Sequence, residues 1–526
     1  MSHQRIEVDV LVVGSGPVGA TFARTLVEGG RSVLVVDAGP QLSRRPGEHL
    51  KNHFSYQHSH ERFGALVRGH LHPVSSPGGG ADERDRLISL DAGVATYAVG
   101  GMATHWTGVT PRHHPTVELS DAIAATEWDQ LYDDAEALLG TGTDLTAHAV
   151  SHQVVLDALT AEYPELPEGH GVRHLPMAAR RRTDNPRLVR WTGADTILGP
   201  LADGDRDGFE LREQHLCRRL VPSADGSRIE YAEVEDHLTW RTLRVVADTY
   251  VVACGAVLTP QLLHASGVRP PALGRYLTEQ PVAFCQIVLS DELVDSVAAD
   301  ERFAEQVAAH RAAHPGDPLP IPLDDADPNV WIPVSADRPW HCQIHRDLPY
   351  ADMAPNRGVD TRLVVDLRWF GLVDPRPGNR VLFSDTEQDG FGLPRPAFEF
   401  SLSEQDRERQ HRMMADLRRA ASALGSYLPG AEPRFIVPTL PLHIAGTARM
   451  GTDADTSVVD PGSRVWGVDN LYLGGNGLIP TPNASNPTLT SVAMALRAAR
   501  GILGTQHPLT AGRRADERPG LLVPRR

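Results

Sequence analysis

The side chains of His443 and Asn486 could together draw a proton from a bound alcohol. An imidazole with its unperturbed pKa of about 6.5 is a neutral base at working pH. An amide beside it could hold and orient the same hydroxyl oxygen, contributing through positioning rather than proton transfer. A structural interpretation is equally available, in which His443 caps a turn and Asn486, which precedes a proline, begins a helix. The residue types alone leave both interpretations open.

A second chemical signal is a glycine motif close to the N-terminus. The apolar run at residues 8–13 predicts a buried strand, and residues 20–28 carry apolar side chains at helical spacing. A second apolar run ends in Asp37, about 20 residues past the glycines, where a carboxylate would accept from ribose hydroxyls. Backbone amides in the turn could approach a pyrophosphate. The pattern predicts a dinucleotide site with three glycines, Gly14, Gly16 and Gly19.

Length and charge limit the classes of protein that remain. A chain of 526 residues is too long for one compact core, so we expect two domains that are interleaved in sequence. Hydrophobic content of 41% and charged content of 22% are typical of a globular protein. The net charge of -16 argues against nucleic acid or an anionic membrane as the main partner. Small neutral or cationic molecules remain as binding partners.

Other sequence features predict no membrane span, disulfide or metal site. No apolar run is long enough to cross a bilayer, and no signal peptide is recognisable, so we expect a cytoplasmic protein. His341 and His345 are four residues apart, but alternation around them favours a strand, so we interpret them as structural rather than metal-binding. The cysteines are few and widely spaced, which favours buried free thiols: Cys217, Cys254, Cys285 and Cys342.

The order of predicted elements indicates an α/β protein with discontinuous domains. We expect a Rossmann-like dinucleotide-binding domain to be interleaved with a sheet-based α+β domain that binds substrate. The dinucleotide-binding domain is predicted at residues 1–115, 195–284 and 436–508. Residues 116–194 are predicted to be connecting helices, residues 285–435 the substrate-binding domain, and residues 509–526 a disordered tail.

Several motifs resemble the glucose-methanol-choline (GMC) flavoprotein oxidoreductases. They are the glycine motif at residues 14–19, VGGMATHWT at 99–107, HIAGT at 443–447 and NPT at 486–488. Within this family the chain is most similar to the pyranose oxidases. That likeness extends through residues 127–132, 275–280, 340–347 and 463–467, so it covers nearly the whole chain. The resemblance implies the GMC fold and FAD as cofactor.

The resemblance also implies roles for residues that contact FAD. His105 matches a histidine that attaches the flavin covalently in pyranose oxidases, although family members differ in this bond. A core histidine packed beside Trp106 is therefore the alternative interpretation. Thr107 matches a threonine that faces the reactive edge of the flavin. The remaining implied cofactor contacts are Gly100, Gly101, Met102, Cys217, Ala253, Gly475, Asn476, Asn486 and Thr488.

For the substrate, the resemblance implies that His443 and Asn486 are a catalytic pair. The implied substrate contacts are Gln343, Asp347, Tyr350, Arg368 and Pro441. The expected reaction oxidises a secondary hydroxyl of a pyranose, either C2 of a free sugar or C3 of an O- or C-glycoside, with O2 or a quinone as acceptor. Residues 73–86 are shorter than in fungal relatives, so we expect a monomer or dimer. A flavin-binding protein without turnover and a nicotinamide enzyme are the remote alternatives.

We predict that the flavin stays with the protein after acid precipitation, because a covalent bond to His105 survives unfolding. The measurement is flavin absorbance in the pellet and in the supernatant. The variant His105→Ala lacks the ring nitrogen and is expected to release its FAD into the supernatant. Release of free FAD from the unsubstituted protein would rule the bond out.

Overall fold

The fold was taken from a computed structural model of the chain. The structure describes residues 4–53, 59–74, 90, 93–166, 169–185, 188–204, 207–345, 358–436 and 441–504. Three sequence predictions fall on residues outside these ranges. They concern the substrate contacts Asp347 and Tyr350, most of the loop at residues 73–86, and the tail from residue 509.

The described residues form helices and strands throughout the chain. The helices are α1 (Pro17–Glu28), α2 (His60–Arg68), α3 (Ala125–Leu139), α4 (Val150–Glu162), α5 (Ala194–Leu198), α6 (Gly255–Ala265), α7 (Asp291–Ala299), α8 (Ala304–Ala313), α9 (Glu404–Leu424) and α10 (Thr488–Gly504). The strands of the first half are β1 (Gln4–Val13), β2 (Val33–Val36), β3 (Leu71–Pro73), β4 (Val94–Thr96), β5 (Arg173–His174), β6 (Ala179–Arg181), β7 (Val189–Trp191), β8 (Phe209–Arg212), β9 (His215–Pro222), β10 (Ile229–Asp236) and β11 (Arg241–Val252). Those of the second half are β12 (Val282–Leu289), β13 (Asn329–Ile332), β14 (Trp340–His345), β15 (Val364–Gly371), β16 (Arg380–Gln388), β17 (Pro394–Glu399), β18 (Gly425–Tyr427), β19 (Arg434–Phe435) and β20 (Leu471–Leu473).

The first of two large sheets contains the N-terminal strand. Its order is β8-β2-β1-β11-β10-β9, and β20 also pairs with β11. Strands β8, β2, β1, β11 and β20 run parallel, whereas β10 and β9 are antiparallel. The last four residues of β1 and all of β2 are buried valine or leucine, as expected for parallel strands that are covered on both faces. Helices α1 and α10 pack against each other beside this sheet.

The turn between β1 and α1 depends on glycine. Gly14 has φ +95°, and a Cβ atom there would lie 2.6 Å from the carbonyl oxygen of Ala253. A Cβ atom on Gly19 would collide with the carbonyl of Gly14. Pro17 begins the helix, where its missing N–H removes no helical hydrogen bond. The motif therefore lets α1 start directly against the end of β1.

The second large sheet is antiparallel. Its order is β18-β12-β15-β14-β13-β5, with β19 also paired to β12. One face of β15 contributes Val365, Leu367 and Trp369 to an apolar core that also contains buried side chains of α4 and α9. The predicted combination of a Rossmann-like unit and a sheet-based α+β unit is confirmed.

Apolar and polar side chains alternate along much of β15, but neither face of this strand is exposed. Every residue of β15 is buried, because the polar face is covered as well as the apolar one. That second face carries Asp366, Arg368 and Phe370. A buried polar face on a sheet indicates a function other than core packing.

Among the described residues, no helix is long and apolar enough to cross a membrane. The four cysteines are free thiols, and all except the half-buried Cys254 are buried, which confirms the interpretation from their spacing.

Gly19→Ala is expected to lower Tm and to abolish FAD retention, because the added methyl group forces α1 away from β1. Gly501→Ala is the matched control, since it lies in α10 with open space around its Cβ position and alanine favours helix by about 1 kcal/mol. Thermal unfolding and the flavin-to-protein absorbance ratio measure both effects. Normal flavin content in Gly19→Ala would contradict the role assigned to the close approach.

Candidate active site

Hydrogen bonds of Ser15 connect three segments that are predicted to bind the dinucleotide. Its hydroxyl donates to Oδ2 of Asp37 at 2.6 Å, and its backbone N–H donates to the same atom at 3.0 Å. The backbone N–H of Gly100 donates to Oγ of Ser15 at 2.8 Å. Burial raises the pKa of Asp37, while the hydrogen bonds from Ser15 and Gly39 oppose that rise. The glycine turn, the end of β2 and the loop before His105 are thereby held together.

The surroundings of this turn fit a dinucleotide. Strands β1, β11 and β20 are parallel, so their carboxyl ends meet at one sheet edge, where nucleotides bind in such folds. Glycine residues, which have no side chain, line that edge. The Cβ position of Gly101 is 3.4 Å from the Cα of Gly16, and that of Gly475 is 3.9 Å from the Cα of Gly255. Ala253 lies there too, donating its N–H to the carbonyl of Val13 at 2.8 Å. Phosphates can approach this edge without meeting side chains.

The remaining predicted cofactor residues lie on several elements. Met102 belongs to a 3-10 helix at Gly101–Thr104, and its carbonyl accepts from the N–H of Trp106, whereas Thr107 lies just beyond that helix. Cys217 is buried in β9, where burial raises the pKa of its thiol to about 12. Asn476 follows β20, and its Oδ1 accepts from the Ser491 hydroxyl at 2.7 Å. Thr488 begins α10. Their contacts with FAD stay predictions.

His105 is half-buried and directly follows the 3-10 helix at Gly101–Thr104. Its Nε2 is 2.9 Å from Oγ1 of Thr96. Burial lowers the pKa of His105 to about 4, so the ring is neutral at pH 7. A neutral ring nitrogen has the lone pair that a bond to a flavin carbon requires.

The structure brings His443 and Asn486 together with Gln343. Nδ2 of Asn486 is 3.2 Å from Nε2 of His443. Nε2 of Gln343 is 2.7 Å from Oδ1 of Asn486. The three side chains come from a loop, the residue two before α10 and the middle of β14. The predicted catalytic pair is therefore adjacent in space, with one predicted substrate residue beside it.

Gln280 determines which nitrogen of His443 is the base. Its Nε2 donates to the carbonyls of Asn483 at 3.2 Å and Ser485 at 3.0 Å, so its Oε1 must face the histidine. That Oε1 is 2.7 Å from Nδ1 of His443, which therefore carries the proton. Nε2 keeps its lone pair beside Asn486. Burial and the nearby His113 lower the pKa of His443 to about 4, so the ring is a neutral base at pH 7.

Two buried carboxyl groups hold the loops that carry the pair. Glu279 accepts from the backbone N–H of His443 at 3.0 Å and of Gln280 at 2.8 Å. Glu118 accepts from the backbone N–H of Ala484 and of Ser485, each at 2.8 Å. The sequence predicts no role for Glu118, Glu279 or Gln280. Residues 275–280 carry only a family resemblance, because most partners of these side chains are far away in the chain.

The predicted substrate residues differ in their contacts with His443 and Asn486. Gln343 and Arg368 are opposite each other in the β14–β15 register. Gln343 reaches Asn486, whereas Arg368 places Nη2 3.2 Å from Oδ2 of Asp366. Pro441 is buried two residues before His443, and a Cβ atom on Gly93 would lie 3.5 Å from its ring. Substrate contact by these residues stays a prediction.

The described histidines do not form an arrangement typical of a metal site. His341 and His345 lie on β14, as the alternation indicated, rather than on a helix. Within the described ranges, no group of three or more His, Cys, Asp or Glu side chains could hold a metal ion.

The first sheet has a glycine-lined edge that fits a nucleotide. Next to it lie an imidazole base and an amide. Together these features define the class of nucleotide-dependent oxidoreductases. The chain belongs to the GMC oxidoreductase family, whose family models match residues 121–282 and 375–495. It is therefore an FAD-dependent enzyme, as predicted.

Curated relatives of this chain cover nearly its whole length. It is 39% identical to a pyranose 2-oxidase of Tricholoma matsutake, over 94% of this chain and 93% of that one. It is 35% identical to a C-glycoside 3-oxidase of Microbacterium trichothecenolyticum, over 94% of this chain and 96% of that one.

Solved structures agree on the fold. A pyridoxine 4-oxidase from Mesorbium loti matches with a TM-score of 0.67 and 19% identity, over 95% of this chain and all of its own. A formate oxidase matches with a TM-score of 0.68 and 15% identity, over 96% of this chain and 99% of its own. At such low sequence identity, these two structures support the fold and nothing further.

We predict that Glu279→Gln stabilises the protein increasingly from about pH 4.5 to 8. Burial raises the pKa of Glu279 from 4.5 to about 8, so the folded chain keeps a proton that the unfolded chain has released. Wild-type stability that is complete below pH 4.5 is thus lost as the pH rises through 8, by about 1.4 kcal/mol per pH unit. Melting temperatures of both proteins measured across this range test the effect. A Tm difference independent of pH would contradict it.

Proposed function

We propose that this protein oxidises a secondary hydroxyl group of a pyranose sugar or glycoside to a ketone, with FAD as the hydride acceptor. The observation that carries the proposal is the adjacency of Nε2 of His443 to the Asn486 amide, with Gln280 accepting the proton on Nδ1. The relatives named pyranose 2-oxidase and C-glycoside 3-oxidase support the sugar class.

The proton step follows from the geometry of this pair. A hydroxyl oxygen beside Nε2 of His443 and Nδ2 of Asn486 can give its proton to the imidazole while the amide holds the oxygen. When bound, FAD supplies the site that accepts the hydride from carbon. Gln280 stabilises the positive charge that develops on the ring, because its Oε1 faces Nδ1. The Phe370 ring lies 5.6 Å from the His443 ring, so an apolar side chain borders the base.

Two substrate classes follow from the relatives' names. A free aldopyranose would be oxidised at C2, and a glycoside with a bulky aglycone at C3. The resemblance to fungal pyranose oxidases implies that Pro441 replaces a β-branched residue of their sugar site and that the segment after Asp347 differs in sequence. A more open site would fit a bulky aglycone. We propose O2, giving hydrogen peroxide, or a quinone as the final acceptor.

We also infer the division of the chain into domains. Residues 1–115, 195–284 and 436–508 would form the FAD-binding domain, and residues 285–435 the substrate-binding domain. Support comes from the first sheet, whose strands all fall within the first three ranges. The segment 116–194, which contributes α3 and α4, would connect the two domains, and we propose a cytoplasmic monomer or dimer.

Anaerobic mixing of the purified protein with a substrate tests this function. We expect loss of the oxidised flavin absorbance with glucose, with a glucosyl C-glycoside, or with both, and NMR of the product then gives the position of the ketone. Reduction by glucose alone would indicate C2 oxidation of a free sugar, whereas reduction by the glycoside alone would indicate C3 oxidation. If neither compound reduced the flavin, the sugar assignment would be wrong.

The same assay identifies the base through a matched pair of variants. His443→Asn removes the imidazole and is expected to slow flavin reduction by about 10²–10⁴-fold. His411→Asn makes the same change on the exposed side of α9 and is expected to leave the rate unchanged.

A further inference from the structure

The β16–β17 hairpin contacts elements that surround the predicted FAD site. Its two strands pair antiparallel, and residues 389–393 form the turn that connects them. Nη1 of Arg218 in β9 donates to the carbonyl oxygen of Phe391 at 2.9 Å. Nε2 of Gln261 in α6 donates to Oδ2 of Asp389 at 2.7 Å. The 389–393 turn is therefore held against both β9 and α6.

The 389–393 turn is also stabilised by its own hydrogen bonds. Oδ1 of Asp389 accepts from the backbone N–H of Phe391 at 2.9 Å and of Leu393 at 3.0 Å. The N–H of Asp389 donates to the carbonyl of Leu393 at 2.8 Å, and the Leu393 side chain is buried. Aspartate side chains that accept from N–H groups of their own turn stabilise it locally. The backbone that carries the Phe391 ring is thus fixed from within the turn and from outside it.

The Phe391 ring stacks on the ring of Tyr97. The two ring centroids are 4.1 Å apart, and the ring planes are 17° from parallel. Tyr97 is buried, and its backbone lies against Gly39, where a Cβ atom would be 2.1 Å from the carbonyl carbon of Tyr97. Gly39 is two residues past Asp37, which is predicted to accept from the ribose hydroxyls of the cofactor. The stacked pair therefore lies beside the end of β2.

The start of β9 lies at the same end of β2. The backbone N–H of His215 donates to the carbonyl of Asp37 at 2.7 Å. Cys217, another predicted cofactor contact, is two residues further along β9. Burial raises the pKa of Tyr97, and the nearby carboxyl groups of Asp389 and Asp37 add to that rise. The turn, the stacked rings and two predicted cofactor contacts thus meet at the ribose end of the site.

We propose that the 389–393 turn closes the adenosine end of the FAD site, and that the stack of Phe391 on Tyr97 slows the release of FAD. The glycine-lined edge leaves the phosphates open to approach, so retention of FAD needs contacts elsewhere. Stacked aromatic rings bury a large apolar surface, and hydrogen bonds beside them are stronger because water is excluded. The turn lies within residues 285–435, the proposed substrate-binding domain. FAD leaves the site only when this part of the chain moves away.

Release of FAD from a variant without the covalent bond tests the proposal. His105→Ala removes the attachment point, so the cofactor can leave without a bond being broken. The double variant His105→Ala/Phe391→Ala lacks the stack as well. We expect it to release FAD about tenfold faster, as the loss of one aromatic contact predicts. The measurement is flavin absorbance in the filtrate, followed over time after dilution of the folded holoprotein.

Two further variants in the His105→Ala background are the controls. Trp240→Ala removes an exposed ring at the margin of the same aromatic cluster. The Trp240 ring stacks on His237 at 5.5 Å, and the His237 ring is 6.5 Å from that of Phe391. Phe391→Tyr keeps the ring that covers Tyr97. We expect both variants to release FAD at the rate of His105→Ala alone.

The affinity for FMN separates this contact from a general loosening of the fold. FMN lacks the adenosine part of FAD, so loss of a contact at that end weakens the binding of FAD and leaves that of FMN unchanged. Flavin fluorescence titrations of the FAD-free forms of His105→Ala and His105→Ala/Phe391→Ala measure both affinities. Equal weakening of FAD and FMN would contradict a contact at the adenosine end.

An unchanged rate of FAD release in His105→Ala/Phe391→Ala would overturn the inference, and so would an equal increase with Trp240→Ala. If Phe391→Ala does not fold, Tyr97→Leu removes the other ring of the stack and gives the same measurement. If His105→Ala cannot be isolated with FAD bound, the titrations give the affinities directly. None of these measurements uses a sugar, so their outcome is independent of the proposed substrate.

Discussion

The active site depends on two buried carboxyl groups that bind backbone rather than cations. Glu279 accepts the N–H groups of Gln280 and His443, and Glu118 accepts those of Ala484 and Ser485, just before Asn486. Each carboxyl group thus fixes the main chain beside one catalytic side chain. Because both glutamate side chains are buried and each accepts from two backbone N–H groups, they hold these loops in place. The spacing between the imidazole and the amide follows from these two anchors.

Amides and imidazoles, rather than ion pairs, supply the polarity around the base. His113, His341 and His443 are neutral at pH 7 because burial lowers the pKa of each ring, and burial raises the pKa of Glu279 to about 8. With few full charges nearby, the proton affinity of His443 is decided by dipoles and hydrogen-bond direction. Interactions of this kind are strong in a dry interior.

The fold could be predicted because its signals are local. Apolar runs, Gly14 to Gly19 and Asp37 lie within one short segment, and each reports on its own strand or turn. The contact of His341 with Trp331 could not be predicted, since these two residues meet across the β13–β14 pairing, whose register periodicity does not define. Gln280 is similar, because its orientation depends on carbonyls of residues 483 and 485. The catalytic pair itself was recognised only through family resemblance.

The pairing of β11 with both β1 and β20 has a consequence for biosynthesis. The first sheet needs strands from the start, middle and end of the chain, and α1 packs on the C-terminal helix α10. Contacts so distant in sequence form slowly and only after the last of them has been translated. The nucleotide-binding edge of this sheet is therefore incomplete until the segment that carries β20 has folded onto β11. Until then, the last residues of β11 lack a strand neighbour on that side.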